Sequence, residues 1–271
     1  MQEDQKASHL EAPAVASAEY DEAYYLNSCI GSDEWRESEG RSAAGIYAGA
    51  LALAELQPGE QLLDIGTGRG DMLPVAIRAG ASSAIGIDYS EAAVRLARRT
   101  LEQAGDPPAA KALLADARRI PIEDHSVDLV TMLDVVEHLM GAELKRSLSE
   151  AHRALRPGGR IFIHTAPNRW IYTVTYRLQR LIWPRGGSSW PANPRNDHER
   201  RLHVNEQSRV SLRRVLLDAG FSDVSVWLGQ WVHTDFLPSD NSRRLYRLGS
   251  RLPVLRWLTV ADLFATGKKP T

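Results

Sequence analysis

The middle of the chain alternates short apolar runs with segments whose apolar residues recur at helical spacing. Gln61–Gly66, Ser83–Asp88, Lys111–Asp116, Val127–Asp134 and Arg160–Thr165 are rich in Val, Ile and Leu, and turn or polar residues bound them. Runs of this length and composition predict buried strands. Between them lie helical patterns. Ser90 caps a predicted helix running to about Gln103 with Gly105 as its stop. Gly141–Leu155 places Leu144, Leu148, Ala151 and Leu155 on one face before a Pro157-Gly158-Gly159 turn. Strands separated by amphipathic helices pair in parallel through crossovers, so the pattern predicts an α/β, doubly wound sheet with helices on both faces.

The pattern breaks at Pro167. Residues 167–205 hold three of the seven tryptophans, seven arginines and the turn-rich stretch RGGSSWPANP, as expected of an insertion. Regularity returns with Val210, Leu212, Val215, Leu216 and Ala219 on a helix closed by Gly220. A strand over Phe221–Leu228 follows, then a second irregular stretch at about 229–261 and a last strand at Asp262–Gly267. That makes seven strands.

Composition narrows the class. A hydrophobic share of 43% with 25% charged residues is that of an ordinary globular protein, and no apolar run is long enough to suggest a membrane span. The single Cys29 excludes an intramolecular disulfide framework and a multi-cysteine metal site, and fits a reduced, cytoplasmic setting. The chain start lacks a basic stretch followed by an apolar core, so it reads as a frayed acidic tail and cap rather than a signal peptide. The formal charge of -1 hides a segregation: residues 1–40 carry ten acids and two bases, whereas residues 169–271 carry seventeen bases and eight acids. A basic C-terminal third suits an anionic acceptor, a nucleic acid or a membrane surface as well as a solvated helix face.

The chemistry centres on LLDIGTGRGD, a strand running into a glycine-rich turn and then a helix. Glycines permit positive φ and let backbone approach a ligand closely. A dinucleotide fingerprint would need Gly or Ala three residues after Gly68, but that position is Asp71. Four aspartates, Asp64, Asp88, Asp116 and Asp134, fall at or near successive strand ends, where ligands of open α/β sheets bind.

From about Gln61 to Pro167 the sequence resembles the class I S-adenosylmethionine-dependent methyltransferases. The resemblance implies a Rossmann-like, mostly parallel seven-stranded sheet with a C-terminal antiparallel strand, residues 1–40 as a cap, and 41–271 as the catalytic domain with acceptor-side insertions at about 167–205 and 229–261. It implies S-adenosyl-L-methionine as cofactor, with Asp64, Gly66, Thr67, Gly68 and Gly70 forming the cofactor loop. Asp88 and Tyr89 would stand at the ribose, Asp116 and Ala117 at the adenine, and Asp134 at the end of strand four. Arg41, with Tyr24 or Tyr25, precedes the sheet where the family closes a helix over the cofactor.

Methyl transfer from a sulfonium requires orientation of the nucleophile, removal of its proton and exclusion of water. Asp134-Val135-Val136-Glu137-His138 resembles the corresponding segment of quinone-biosynthesis methyltransferases, which makes His138, with Glu137, the first choice for proton removal. Asp134, Glu137 and His138 stand at i, i+3 and i+4 and also match metal-dependent methyltransferases, with His164 or His203 as further ligands. We rank the base role ahead and assign no metal. The acceptor pocket is expected from His164, Asn168, Trp170, Tyr172 and His203. The arginine–tryptophan segments, including Leu245, Leu248, Leu252 and Leu255, are ranked first as a packed lid, second as a surface for a lipid-linked acceptor or peripheral membrane contact, and last as an RNA site. The expected activity is methylation of a small or lipid-like acceptor, first at a hydroxyl oxygen. RNA 2′-O-methylation or a non-catalytic cofactor-binding subunit are the alternatives, and no DNA partner is expected.

Overall fold

The computed structural model describes residues 10–41, 45–105, 108–182, 193, 195, 197–229, 252, 256–257 and 260–271. The chain opens with a short 3₁₀ turn and three helices, α1 (Glu22–Asn27), α2 (Ser32–Ser38) and α3 (Gly45–Leu53). Alternation then sets in: β1 (Gln61–Ile65), α4 (Met72–Arg78), β2 (Ser83–Asp88), α5 (Glu91–Gln103), β3 (Ala110–Leu114), β4 (Val127–Leu133), α6 (Gly141–Ala154) and β5 (Leu155–Thr165). Helices α7 (Tyr176–Ile182), α8 (Asp197–Leu202) and α9 (Arg209–Asp218) precede β6 (Ser222–Gly229) and β7 (Asp262–Lys268).

The seven strands form one sheet in the order β3-β2-β1-β4-β5-β7-β6. Pairings among β1 to β5 are parallel, and β7 runs antiparallel to both β5 and β6. Strand order reverses between β1 and β4, and that switch point is where a ligand crevice opens in a doubly wound sheet.

Side-chain alternation sends successive residues to opposite faces. Leu62, Leu129 and Phe162 join the core under α3, α4 and α5, which contribute Leu51, Met72, Leu73 and Leu101. Leu63, Ile65, Val130 and Ile161 face Leu144, Leu148, Leu212 and Leu216 of α6 and α9. Leu144 and Leu148 are almost fully buried, and each is worth about 2 kcal/mol in area removed from water. Ser90 caps α5 through the Ala93 amide, as its sequence position predicts.

Three expectations are revised. β5 begins at Leu155 rather than Arg160, because Leu155 pairs with Val127 and the register then shifts between Val127 and Leu129. The Pro157-Gly158-Gly159 turn is therefore a bulge inside the strand, and a Cβ at Gly159 would lie 3.0 Å from the Asp128 carbonyl oxygen. Residues 10–41 are a docked cap rather than a frayed tail: Val15, Tyr20, Tyr25 and Trp35 are buried with Ala93, Leu96 and Leu202. The start of the 167–205 insertion is helical in α7, and α8 follows. Leu245, Leu248 and Leu255 lie outside the described residues, and Leu252 is exposed. Among the described residues no helix is long and apolar enough to cross a membrane.

Candidate active site

One half of the crevice at the switch point is built on β1 and β2. Gly66, Gly68 and Gly70 all take positive φ. The need is steric as well as conformational: a Cβ on Gly66 would meet Val135 Cγ2 at 2.4 Å, and one on Gly70 would meet Ala97 Cβ at 2.8 Å. The Gly66 and Thr67 amides both reach the Ile87 carbonyl, which folds the turn over the end of β2. Asp64 accepts a hydrogen bond from Thr131 at 2.7 Å, and burial pushes its carboxyl up to about 6. Asp88 is likewise pushed up to about 6 by burial, against the pull of the Ser90 and Gly68 amides and the Tyr25 hydroxyl. One Asp88 oxygen accepts from Gly68 N at 3.1 Å and the other from Ser90 N at 2.9 Å, so the carboxylate is fixed in place.

The cap closes this half. Arg69, absent from the sequence-based assignment, is buried, pairs with Asp71 at 3.0 Å and donates to the carbonyls of Tyr25 and Ile30. A charged residue between two loop glycines was its only sequence signal. Tyr89 donates to the Val15 carbonyl, Ser90 to that of Tyr20, and Trp35 to Thr100. The Tyr25 ring lies 3.4 Å from where a Cβ of Gly68 would sit. Arg41 is not brought to this closure: its side chain is exposed and lies 3.8 Å from Glu39. Asp116 lies past the end of β3 with both oxygens engaged by Arg118, which also reaches Glu143, and Ala117 lies between them in the chain.

Across the crevice, β4 ends in Asp134 and a 3₁₀ turn over Val136–His138. Glu137 is 1% exposed and accepts from Thr165 Oγ1 at 2.8 Å. Burial and the neighbouring Asp134 charge push Glu137 up to about 8. His138 Nδ1 lies 3.1 Å from the Leu202 carbonyl and 3.0 Å from the Tyr20 hydroxyl. A carbonyl only accepts, so the proton is assigned to Nδ1 and the lone pair to Nε2. Burial, with His203 nearby, pushes His138 down to about 4 and keeps it neutral at neutral pH.

His203 packs edge-on against His138 with ring centroids 4.9 Å apart, and burial lowers its pKa. Ligand-capable atoms of Glu137, His138 and His203 lie within 4.8 Å of one another, the one such group among the described residues. Asp134 and His164, considered from sequence for the same cation, pair with each other instead, at 2.9 Å.

The expected acceptor residues divide. His203 lies beside His138 and Glu137. Tyr172 donates to Glu199 and carries the Arg195 guanidinium 4.1 Å above its ring, while Trp170 packs edge-on against Trp257. His164 and Asn168 are corrected. Neither has exposed surface: His164 is held between Asp134 and Asp262, and Asn168 donates its amide to the Trp257 carbonyl. Both secure β5 and the segment before β7 rather than touching an acceptor.

A glycine turn after β1 and an acidic residue ending β2 meet a carboxylate–histidine group after β4 at the strand-order reversal. A family model described as a methyltransferase domain matches residues 63–163. The ubiquinone/menaquinone biosynthesis C-methyltransferase UbiE of Cupriavidus taiwanensis is 30% identical over 184 residues, covering 64% of this chain and 72% of that protein. The chain belongs to the class I S-adenosylmethionine-dependent methyltransferases.

Other relatives are matched over a smaller share of their length. The chain covers 41% of an uncharacterized 37.1 kDa protein in transposon TN4556 of Streptomyces fradiae, at 35% identity over 156 residues and 57% of this chain. It spans 44% and 63% of two demethylmenaquinone methyltransferases. Among solved structures, the [4+2]-cyclase SpnF superposes with a TM-score of 0.61 at 19% identity, covering 97% of this chain and all of that one. That likeness concerns the fold.

Proposed function

We propose that this methyltransferase moves a methyl group from S-adenosylmethionine to a small or lipid-like hydroxylated acceptor, first at oxygen and second at a ring carbon made nucleophilic by that hydroxyl. The observation that carries the reading is the position of Glu137 and His138 just past β4, across the switch point from the glycine turn. The glycine turn, beside the fixed Asp88 carboxylate, fits a ribose and its attached amino acid. The two Asp88 oxygens are the acceptors a diol would meet, beside the amides and the Tyr25 hydroxyl that already hold them. When bound, the donor supplies an electrophilic methyl carbon on a cationic sulfur, and transfer leaves a neutral thioether.

The residues of this chain then have one proton to manage. Glu137, held near 8, is matched to accepting a hydroxyl proton close to neutral pH, and Thr165 fixes its orientation. His138 presents Nε2 beside it as a neutral hydrogen-bond acceptor for the incoming hydroxyl. Tyr20 and the rest of the cap exclude water from the crevice. The C-methyltransferase relatives support the carbon alternative.

The test is turnover of methyl-labelled donor against a panel of quinols, catechols and lipid-linked phenols, with the product position read by mass spectrometry and NMR. Methylation of a hydroxylated acceptor is expected. Tight donor binding with no turnover over the whole panel would replace the enzyme with a silent binding subunit.

A further inference from the structure

His164 has no exposed surface, yet each of its ring nitrogens faces a carboxylate. Nδ1 is 2.9 Å from Asp134 Oδ1, and Nε2 is 3.1 Å from Asp262 Oδ1. β5 is hydrogen-bonded to β4 on one side and to β7 on the other, so the three residues form a charged row across the sheet at the crevice end of β4 and β5. Nε2 makes a hydrogen bond to Asp262 and Nδ1 stands at ion-pair distance from Asp134, an arrangement that favours the imidazolium, with a proton on each nitrogen. Burial alone would lower the His164 pKa, but the two carboxylates push it up to about 10.

The row is asymmetric. The Asp262 side chain is 1% exposed, whereas that of Asp134 is 38% exposed. Asp134 takes a positive φ of 54, uncommon for a non-glycine residue, and its amide donates to the His164 carbonyl at 3.0 Å. Backbone and side chain of Asp134 are thus both tied to His164. Buried ion pairs give little net stability over apolar packing, and Phe264 already packs 4.9 Å from the His164 ring. What the row supplies specifically is a fixed negative charge on Asp134, next to a Glu137 that stays largely protonated.

We propose that His164 and Asp262, neither of which reaches the crevice, are positioning residues that hold Asp134 as an anion aimed at the positively charged end of the donor, its α-ammonium or its sulfonium. The proposal rests on the donor assignment above.

Calorimetry with S-adenosylmethionine, S-adenosylhomocysteine and 5′-methylthioadenosine separates the charges, because the last carries neither. Asp262→Asn, nearly isosteric, and His164→Gln, which keeps hydrogen-bonding capacity without charge, should each weaken S-adenosylmethionine about tenfold while changing 5′-methylthioadenosine by less than about twofold. S-adenosylhomocysteine follows S-adenosylmethionine if Asp134 meets the ammonium, and follows 5′-methylthioadenosine if it meets the sulfonium. NMR of the unsubstituted protein should show both His164 ring nitrogens protonated at pH 8, a readout that survives even if a variant fails to fold. Equal weakening of all three ligands, no weakening, or a neutral His164 overturns the positioning role. Failure of the unsubstituted protein to bind any of the three sinks the donor assignment instead.

Discussion

The two halves of the crevice are made in opposite ways. On the donor side, Asp64, Gly66, Gly68 and Gly70 lie within one strand and turn, and Asp88 is fixed by the nearby Gly68 and Ser90 amides. On the β4–β5 side, where the proposed base stands, the contacts join residues far apart in sequence: Asp134 with His164, His164 with Asp262, and His138 with Leu202 and Tyr20. The glycine turn is tied mainly to the end of the neighbouring β2, through Ile87 and Asp88. The acceptor side keeps its protonation states only while several elements stay docked.

The sharpest break in that comparison is Asp88→Ala. It removes the fixed acceptor of the donor half and leaves the Gly68 and Ser90 amides without partners, so calorimetric donor affinity should fall about 100-fold or more. Unchanged affinity would show that the ribose is held elsewhere. Next in size, Glu137→Gln should lower turnover about 100-fold with donor affinity nearly intact, because it removes a proton acceptor without touching the donor half. The rate of the unsubstituted enzyme should rise with pH towards a plateau above about 8, as Glu137 ionises, and a flat profile would remove it as the base.

A smaller effect concerns stability. The folded-state pKa of His164 is raised from 6.5 to about 10, so the native state holds a proton that the unfolded chain releases first. That contribution is fully present below about pH 6.5 and disappears as pH rises through about 10. Melting curves over this range should fall more steeply for the unsubstituted protein than for His164→Gln, and parallel curves would break the assignment. The smallest expected effect is that of chelation. With His138 Nδ1 engaged by Leu202 and a Glu137 oxygen by Thr165, treatment with EDTA should leave turnover unchanged. A loss restored by a divalent cation would make Glu137, His138 and His203 a metal centre and shift the base role to a metal-bound group.

The same contrast explains what the sequence discloses. The seven strands, the Ser90 cap and the glycine turn are legible because alternation, capping and positive φ are local properties. The role of His164 is not, because its partners Asp134 and Asp262 come from strands on either side of β5. Read locally, HTAPNRWIY looks like a pocket wall; pairing places its first and fifth residues, His164 and Asn168, inside the protein. Arg69 escaped for a related reason: its acceptors are carbonyls of Tyr25 and Ile30, and backbone groups leave no residue-type signal.

The docked cap also bears on the order in which the molecule is assembled during synthesis. Val15, Tyr20, Tyr25 and Trp35 are made early, but the surfaces that bury them include Ala93 and Leu96 of α5 and Leu202 of α8. Translation proceeds at about 5–20 residues per second, so a gap of about 180 residues keeps Tyr20 waiting on the order of ten seconds or more for Leu202. Helix α5 offers part of their cover earlier, but the cluster is complete only once Leu202 has been made. Closure of the crevice is consequently a late step, timed by the ribosome's progress through α8.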